Sequence, residues 1–389
     1  MNFTATALII ALFLTGCASS SIDQYYQDNM KVGRKSTQEF KEVQRLIASA
    51  PNKKTSTTKE IDDYSERLCN ASNKRSLRDN PSAIFLVARC YDNAIGKFTQ
   101  SDYETCKLYK KSAVHKKNSI FKAQAQYQTG LCYGNGKGFS SNQKSAYEWY
   151  KKSAENNYTP GQFKLGYQLY WGKGVEKNKE RALNWFRLAA AGKNSAAELY
   201  LGKYYYYGIS VKQNYQQSFY WFEKAANRGN REASFKLANS YKNGFGTKIN
   251  IEKSSYWYLE AAKKGHNKAG FITAKNYQYG IGTKKDLAEA FKWYQKLAER
   301  NYEDAYLPLA EAYRLGNGIN KNYESAFNWY FKATNNKSSL AQYHLGRSYY
   351  LGQGVKENKE TARMWLDLAK ENGSQSAIEM LEAMNKEAL

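Results

Sequence analysis

A tryptophan that recurs every 36 residues is the strongest constraint on the fold of this 389-residue chain. Seven of the eight tryptophans keep that spacing: Trp149, Trp185, Trp221, Trp257, Trp293, Trp329 and Trp365. Self-similarity at a fixed period of about 20 to 50 residues is typical of arrays in which one small structural unit stacks on the next. The chain is therefore predicted to be a repeat protein.

Two glycine columns mark a turn in every repeat. The first is glycine in all copies, and the second, two residues later, is broken only by Ser210. The columns are Gly136, Gly172, Gly208, Gly244, Gly280, Gly316 and Gly352, then Gly138, Gly174, Gly246, Gly282, Gly318 and Gly354. Glycine accepts the positive φ that commonly terminates a helix. A first helix is therefore predicted to end at each turn.

A second helix is predicted to begin after the next column, which holds Asn142, Asn178, Asn214, Asn250, Asp286, Asn322 and Asn358. These side chains cap a helix N-terminus, with a gain of about 1 kcal/mol each. The tryptophan lies seven residues after the cap, on the same helical face as a small residue three positions before it. Burying one tryptophan removes about 200 Å² from water, worth about 5 kcal/mol gross. The tryptophans are therefore predicted to form the spine of the stack, packed between neighbouring helix pairs.

The first helix is predicted to open at Ala125, Gly161, Ala197, Ala233, Ala269, Ala305 and Ala341, with a large apolar residue two positions later. At 100° per residue, positions three, six, seven and ten after the opening residue share the arc left for solvent. The expected fold is all-α. It is an α-solenoid, a right-handed superhelix of stacked antiparallel helix pairs with a 36-residue period.

The repeat consensus resembles a known family. Residues 341–373 read Ala-x-x-x-Leu-Gly-x-x-Tyr-x-x-Gly-x-Gly-Val, followed by Asn, Ala, Trp, Ala and Gly. This pattern resembles the Sel1-like repeat, a relative of the tetratricopeptide repeat, and residues 125–376 hold seven registered copies. The resemblance implies an adaptor that holds other proteins together, but it does not name a partner.

The N-terminus has the features of an exported chain. Residues 1–16 contain no charged side chain and an apolar run that is too short to span a bilayer, which predicts a signal peptide. Leu14-Thr15-Gly16-Cys17 resembles the bacterial lipobox, although the preceding segment lacks Lys and Arg. The resemblance implies lipidation of Cys17; the alternative is a secreted protein with a spare thiol.

The resemblance also implies a location, because Ala18 rather than Asp follows the cysteine. The expected location is the cell envelope, on the periplasmic face of the outer membrane, with the acyl chains as a durable anchor. Residues 17–60 are predicted to be the lipidated cysteine and a flexible tether, with a short helix in the amphipathic run at 40–47. Residues 61–124 are predicted to be divergent repeats braced by disulfides, and residues 377–389 a capping helix.

The four remaining cysteines can be paired by repeat register. In the regular repeats, 21 residues separate the position two before the tryptophan from position seven of the next first helix, and Cys69 and Cys90 have that spacing. Cys106 and Cys132 are 26 residues apart, which a five-residue insertion near 115–121 explains. The predicted disulfides are Cys69–Cys90 and Cys106–Cys132, each worth about 3 kcal/mol. A Cys90–Cys106 bond within one hairpin is a conceivable alternative.

The solvent arc of the first helices is the candidate binding groove. Its residues are Lys164, Tyr167, Trp171, Tyr200, Lys203, Tyr207, Lys236, Asn239, Asn243, Lys275, Tyr279, His344 and Arg347. In helical-repeat relatives this arc lines a concave groove, and aromatic side chains interleaved with cations suit an extended peptide or a glycan. The alternative is that the tyrosines only pack between neighbours. Trp171, the tryptophan outside the 36-residue column, is the strongest candidate.

The formal charge of +24 indicates acidic partners. The predicted export argues against nucleic acid and leaves acidic proteins, anionic lipid head groups, lipopolysaccharide phosphates or peptidoglycan carboxylates. The alternative is that the charge forms only a solvated surface. The oligomeric state is not predicted.

The sequence predicts no catalytic residue, no metal site and no cofactor. It has three histidines and neither a His-Glu-x-x-His nor a Cys-x-x-Cys string. Two Ser-x-x-Lys matches, at 119–122 and 141–144, lack the Ser-Asp-Asn and Lys-Thr-Gly strings of penicillin-recognising enzymes. The expected function is a membrane-anchored protein adaptor. The alternatives are a peptidoglycan- or glycan-binding module and a β-lactamase-like hydrolase.

Overall fold

The computed structural model of the protein describes residues 34–50, 58–117, 119–334 and 338–387. In these ranges it contains nineteen α-helices, two short 3-10 helices and no strand. The predicted signal peptide and Cys17 lie outside the described residues. Across the described part, every helix is too short or too polar to cross a bilayer.

The chain divides into an N-terminal unit, Met1–Ala197, and a C-terminal unit, Glu198–Leu389. The helices are α1 Arg34–Ala48, α2 Thr58–Ser72, α3 Pro81–Asp92, α4 Asp102–Val114, α5 Lys122–Asn135, α6 Gln143–Glu155, α7 Thr159–Trp171, α8 Lys179–Ala191, α9 Ser195–Tyr207, α10 Tyr215–Asn227, α11 Arg231–Asn243, α12 Ile251–Lys263, α13 Asn267–Tyr279, α14 Leu287–Ala298, α15 Tyr306–Leu315, α16 Tyr323–Ala333, α17 Ser339–Leu351, α18 Lys359–Glu371 and α19 Gln375–Glu387. Within each unit, consecutive helices pack on each other, which confirms the predicted all-α solenoid architecture. The handedness of the superhelix stays a prediction.

The predicted helix boundaries at the turns are confirmed. In every regular repeat the Asn or Asp Oδ1 accepts from the backbone N–H three residues on, at 2.7–2.9 Å. The first glycine column ends each first helix at φ of 62–76°. Six of the seven predicted openings of the first helices are two or three residues late, and the exception is Ala305, which ends a 3-10 helix just before α15. Asn230 shows the reason, because its Oδ1 accepts from the Ala233 N–H at 3.0 Å and thereby starts α11 at Arg231.

The second glycine column lies against the preceding repeat. A Cβ at Gly246, Gly282, Gly318 or Gly354 would lie 2.0–2.3 Å from the carbonyl oxygen of the first residue in the previous second helix. No real Cβ tolerates that distance, so only glycine fits without a shift of backbone. The turns of successive repeats therefore stack on each other along one edge of the unit.

The deepest core is formed by the residue after each tryptophan. These residues are at most 2% exposed, and they are Tyr150, Phe186, Phe222, Tyr258, Tyr294, Tyr330 and Leu366. Trp149 is 9% exposed and the other six tryptophans of the column are only partly buried. The tryptophan column is therefore flanked by a column that is buried more deeply, which the 36-residue spacing alone does not predict. One residue turns a helix by 100°, which points the next side chain at the first helix of its own pair.

Small residues of the first helix receive these large side chains. The facing column, five residues after each opening position, holds Gly130, Gly166, Gly202, Ala238, Ala274, Ala310 and Gly346. A Cβ at Gly202 would lie 2.4 Å from the ring of Phe222, and one at Gly130 would lie 2.6 Å from the ring of Tyr150. Each helix pair is therefore interlocked by a large residue that fills the space above a small one.

Tryptophans of the column pack at the junctions between neighbouring repeats, which confirms their predicted place in the stack. Trp257 packs both on the cluster that contains Phe222 and Leu237 and on the cluster that contains Tyr258. The outer side of the column faces solvent, and a lysine three residues later covers the ring of Trp149, Trp221, Trp293 and Trp329. The Lys332 Nζ, for example, lies 4.1 Å from the centre of a ring of Trp329. The column thus joins repeats, although it is not their core.

The divergent N-terminal repeats contain both predicted disulfides, Cys69–Cys90 and Cys106–Cys132. The insertion lies between α4 and α5. It ends at Phe121, which is 3% exposed and stacks on Phe85 with 4.9 Å between the ring centres. The inserted segment is therefore anchored in the core rather than looped out.

Residues 34–48 and 58–60, within the predicted tether, are helical, and the short helix predicted at 40–47 is part of a longer one. They belong to α1 and α2, which pack on each other, and Val43 is fully buried in one cluster with Leu68 and Leu77. Leu46 and Ile47 lie three and four residues after Val43, so they share its face and pack on the same cluster. A single apolar face is enough to pack a helix on the core when most of its other residues are polar.

Replacing Gly202 with Ala tests the interlock of small and large residues. The added methyl group would meet the Phe222 ring at 2.4 Å, and overpacking of this kind costs about 1–3 kcal/mol. Urea unfolding followed by circular dichroism should show that loss. Adding Phe222→Leu should recover part of it, because the smaller side chain makes room. Equal or higher stability of Gly202→Ala alone would mean that the close approach does not constrain the pair.

Candidate ligand-binding face of the first helices

In the N-terminal unit, four side chains of α7 and the turn after it lie close together: Lys164, Tyr167, Trp171 and Lys173. Trp171 is 53% exposed, whereas Lys164 and Tyr167 are half-buried. The Nζ atoms of Lys164 and Lys173 lie 6.0 and 5.4 Å from the centre of the Tyr167 ring. The rings of Tyr167 and Trp171 are 6.3 Å apart. Two cations therefore flank one aromatic ring, with an exposed tryptophan beside them.

The charge of this cluster is not balanced within the protein. Burial lowers the pKa of Lys164 below its ordinary value, and the charge of Lys173 lowers it further. Among the ion pairs of the described residues, none involves Lys164 or Lys173. A ligand carboxylate placed between these lysines would relieve both the repulsion and the loss of hydration.

In the C-terminal unit, Lys203 occupies the equivalent face. Its Nζ lies 5.4 Å from the centre of the Tyr200 ring, and burial lowers its pKa although Glu232 opposes that effect. Glu232 also contacts the Lys236 Nζ at 3.9 Å and the His266 Nε2 at 3.2 Å. Lys236 therefore already has an intramolecular partner.

The remaining arc residues of this unit divide into exposed and internally bonded side chains. Tyr207 and Tyr279 are 58% and 63% exposed, and Lys275 is exposed as well, with its Nζ above the Phe271 ring. Asn243 is exposed and Arg347 is half-buried. Asn239 accepts from the Tyr258 hydroxyl at 2.7 Å and donates to the Phe235 carbonyl. Its amide is therefore used within the core rather than offered to a ligand.

His344 is the clear error in the predicted arc. Its side chain is 11% exposed, and Nε2 donates to a Glu311 carboxylate oxygen at 3.1 Å. Glu311 also accepts from Arg314 at 2.6 Å and from the Tyr330 hydroxyl. The His344 ring stacks on Tyr330 with 4.8 Å between centres, so the residue closes a polar cluster instead of facing solvent.

Comparison with protein families and solved structures identifies the repeat. The family model described as the Sel1 repeat matches residues 123–158, 159–194, 195–230, 231–266, 270–302, 304–338 and 339–374. These seven matches cover more than half of the chain. The chain belongs to the Sel1 repeat family. Its matched repeats coincide with the seven units that the tryptophan spacing predicts.

Two solved structures show the same fold as this Sel1 repeat chain. One is c5321, a protective antigen of uropathogenic Escherichia coli strains with an SLR fold. It is 27% identical, with a TM-score of 0.71 over 81% of this chain and 67% of the other. The other is a Sel1 repeat protein from Oxalobacter formigenes, at 22% identity and a TM-score of 0.51 over 88% and 93% of the two chains. A comparison with curated proteins found no match.

Two charged residues of this Sel1 repeat face are missing from the sequence prediction. Glu311 stands six residues after Ala305, which is an arc position, although no candidate was predicted in that repeat. Repeat register alone would have identified it. Lys173 lies in the glycine turn, and its contact with Tyr167 could not be predicted because it depends on how the turn folds. Over the described ranges, no group of three His, Cys, Asp or Glu side chains is placed to hold a metal ion.

The burial of His344 predicts a pH-dependent stability. Burial lowers its pKa from 6.5 to about 4, Arg314 and Arg347 act in the same direction, and Glu311 opposes them. Between those two values the unfolded chain binds more protons than the folded one. Stability should therefore fall by about 2 kcal/mol from pH 7 to pH 4.5 through this residue.

Urea unfolding at several pH values would measure this effect. The His344→Gln variant should show a flatter dependence between pH 6.5 and 4.5 than the parent, and the values at pH 7.5 serve as the internal reference. An unchanged slope would mean that His344 is not held neutral by its surroundings. Below pH 4.5 both proteins should lose stability, because hydrogen bonds from Arg314 and Tyr330 outweigh the opposing effect of burial and hold the pKa of Glu311 below its ordinary value.

Proposed function

We propose that this Sel1 repeat protein is an adaptor that binds an acidic protein segment on its first-helix arc, while a lipid on Cys17 holds it in the bacterial envelope. Sel1 repeat proteins generally act as scaffolds for protein–protein interaction. The anchor and the periplasmic location are supported by the sequence of residues 1–18. The acidic nature of the partner is supported by the charge of the arc.

The cluster around Lys164 is the observation that carries the proposal. A lysine whose pKa is lowered by burial and by a second lysine holds a charge that is poorly solvated. A carboxylate from a partner would restore solvation of that charge, and charge-assisted hydrogen bonds are stronger than neutral ones. Exposed Trp171 supplies an adjacent apolar contact. The cluster therefore suits an acidic residue that is followed by an apolar or aromatic one.

A glycan of the envelope is the second candidate. Trp171, Tyr207 and Tyr279 each lie ten residues after the predicted opening of their first helix, and all three are more than half exposed. Aromatic rings with an open face can stack on sugar rings while a polar end hydrogen-bonds. Peptidoglycan also carries carboxylates, which would suit the lysines of the arc.

Affinity capture from envelope extract tests the adaptor function. The chain should retain a defined protein, and Lys164→Gln combined with Lys173→Gln should reduce retention at least tenfold because the partner's carboxylate loses both cations. The matched control is Lys144→Gln combined with Lys151→Gln on α6, which should bind as the parent does. Cys17→Ser should make the protein extractable from the membrane fraction of the same cells by high salt, because no acyl chain then holds it there.

Purified sacculi distinguish the second candidate. Saturable binding to sacculi that is lost in Trp171→Ala combined with Tyr207→Ala, without any retained protein, would replace the adaptor by a glycan-binding module. Retention of the same protein by the parent and by the Lys164 and Lys173 double variant would contradict the proposed binding face.

A further inference from the structure

Eight of the fourteen exposed large apolar side chains in the described part of the C-terminal unit lie along one edge. This edge, the turn ridge, consists of the stacked turns between first and second helices, at residues 207–214, 243–250, 279–286, 315–323 and 351–358. Eight large apolar side chains of the ridge are 39–65% exposed: Tyr207, Ile249, Tyr279, Ile281, Leu315, Ile319, Tyr323 and Leu351. The glycines that pack on the preceding repeat fix these turns in one row.

The same turns carry an excess of lysine. Their exposed lysines are Lys212, Lys248, Lys284, Lys285, Lys321 and Lys356, against the two carboxylates of Asp286 and Glu357. Asp286 is committed to its helix, because its Oδ1 accepts from the Glu289 N–H. None of the six lysines belongs to an ion pair of the described residues. The ridge is therefore both apolar and cationic, and the protein neutralises little of its charge.

The opposite turns of the unit lack this combination. In their described segments, 227–231, 263–267, 299–304 and 371–375, no large apolar side chain is exposed, and Leu340 at the start of α17 is the nearest exception. Two of those turns, 227–231 and 263–267, are basic as well, whereas 299–304 and 371–375 hold more carboxylates than cations. The ridge is thus distinguished by lysines in every turn together with apolar side chains placed between them.

We propose that the turn ridge binds the anionic headgroup surface of a lipid bilayer. Tyrosines and short aliphatic side chains favour the boundary between headgroups and acyl chains, and nearby lysines are attracted to anionic lipids. Single apolar residues on successive turn tips, separated by lysines, can each enter a fluid surface. A second copy of this chain would place lysines against lysines. The inference goes beyond the proposed function and does not need its protein partner.

Vesicle co-sedimentation tests the proposal with the full chain carrying Cys17→Ser, so that no acyl chain contributes. The parent should bind vesicles of phosphatidylglycerol and phosphatidylcholine at least tenfold more tightly than vesicles of phosphatidylcholine alone. Reversing three ridge charges, with Lys248→Glu, Lys284→Glu and Lys321→Glu, should weaken that binding at least tenfold. Residues 1–16 are present in every variant, so their contribution cancels.

The matched control reverses three lysines that cover tryptophans on the second helices, with Lys224→Glu, Lys296→Glu and Lys332→Glu. It changes the net charge equally and should weaken binding less than twofold. At constant charge, Ile249→Ser combined with Ile281→Ser should weaken binding at least threefold, whereas Tyr220→Ser combined with Tyr256→Ser should not. Circular dichroism confirms that each variant is folded.

Three results would overturn the proposal. The first is equal binding, or no binding, of the parent to the two kinds of vesicle. The second is an equal loss in the ridge and control triple variants, which would assign the effect to net charge alone. The third is the absence of vesicle binding together with capture of an acidic protein that is sensitive to the ridge variants, which would make the ridge a protein-binding surface.

Discussion

The contact between a large residue of the second helix and a small residue of the first helix fixes the geometry of each repeat. Phe186 is fully buried, and a Cβ at Gly166 would lie 2.9 Å from its ring. Such a contact sets how closely the two helices approach, because neither side can grow without pushing the backbone apart. The other regular features, including the caps, the turns and the tryptophans, act on helix pairs that this contact has already formed.

Two further interactions convert pairs into a stack. The second glycine of six turns lies against the first carbonyl of the preceding second helix, and Trp257, Trp293 and Trp329 each pack on the clusters of two neighbouring repeats. Both are contacts between nearest neighbours, as expected for a quasi-one-dimensional array. The divergent N-terminal repeats lack part of this pattern, and there two disulfides and the docked helix α1 stabilise the structure.

Much of this architecture was predictable from the sequence because it depends on local rules repeated seven times. Asn178 caps a helix and Gly172 ends one whatever surrounds them, and repeat register was enough to pair Cys106 with Cys132 across an insertion. The errors arise where three-dimensional packing decides. The 36-residue period identifies a column but not which neighbour of Trp185 faces inward. Periodicity alone also did not predict that Val43 packs α1 on the core, or that His344 is buried beside Glu311.

The candidate binding face was likewise predictable from the sequence only in part. The positions of Lys164 and Trp171 on one arc follow from helical periodicity, but the reach of Lys173 to the same ring and the lowered pKa of Lys164 require the folded turn. The face is left with charge that the protein does not neutralise, while the core contacts that hold it are rigid. The arc therefore combines unneutralised lysine charge with exposed aromatic rings, which are the features on which the proposed acidic partner depends.

The central claim is that the residue after each tryptophan, and not the tryptophan, holds a repeat together. The most direct measurement compares urea unfolding of Trp185→Ala and Phe186→Ala, which are neighbours on α8. Removing a fully buried phenylalanine should cost about 4 kcal/mol. Removing the larger but only partly buried tryptophan should cost less, because part of its ring is already in contact with water in the folded state. A greater loss for Trp185→Ala than for Phe186→Ala would contradict the account.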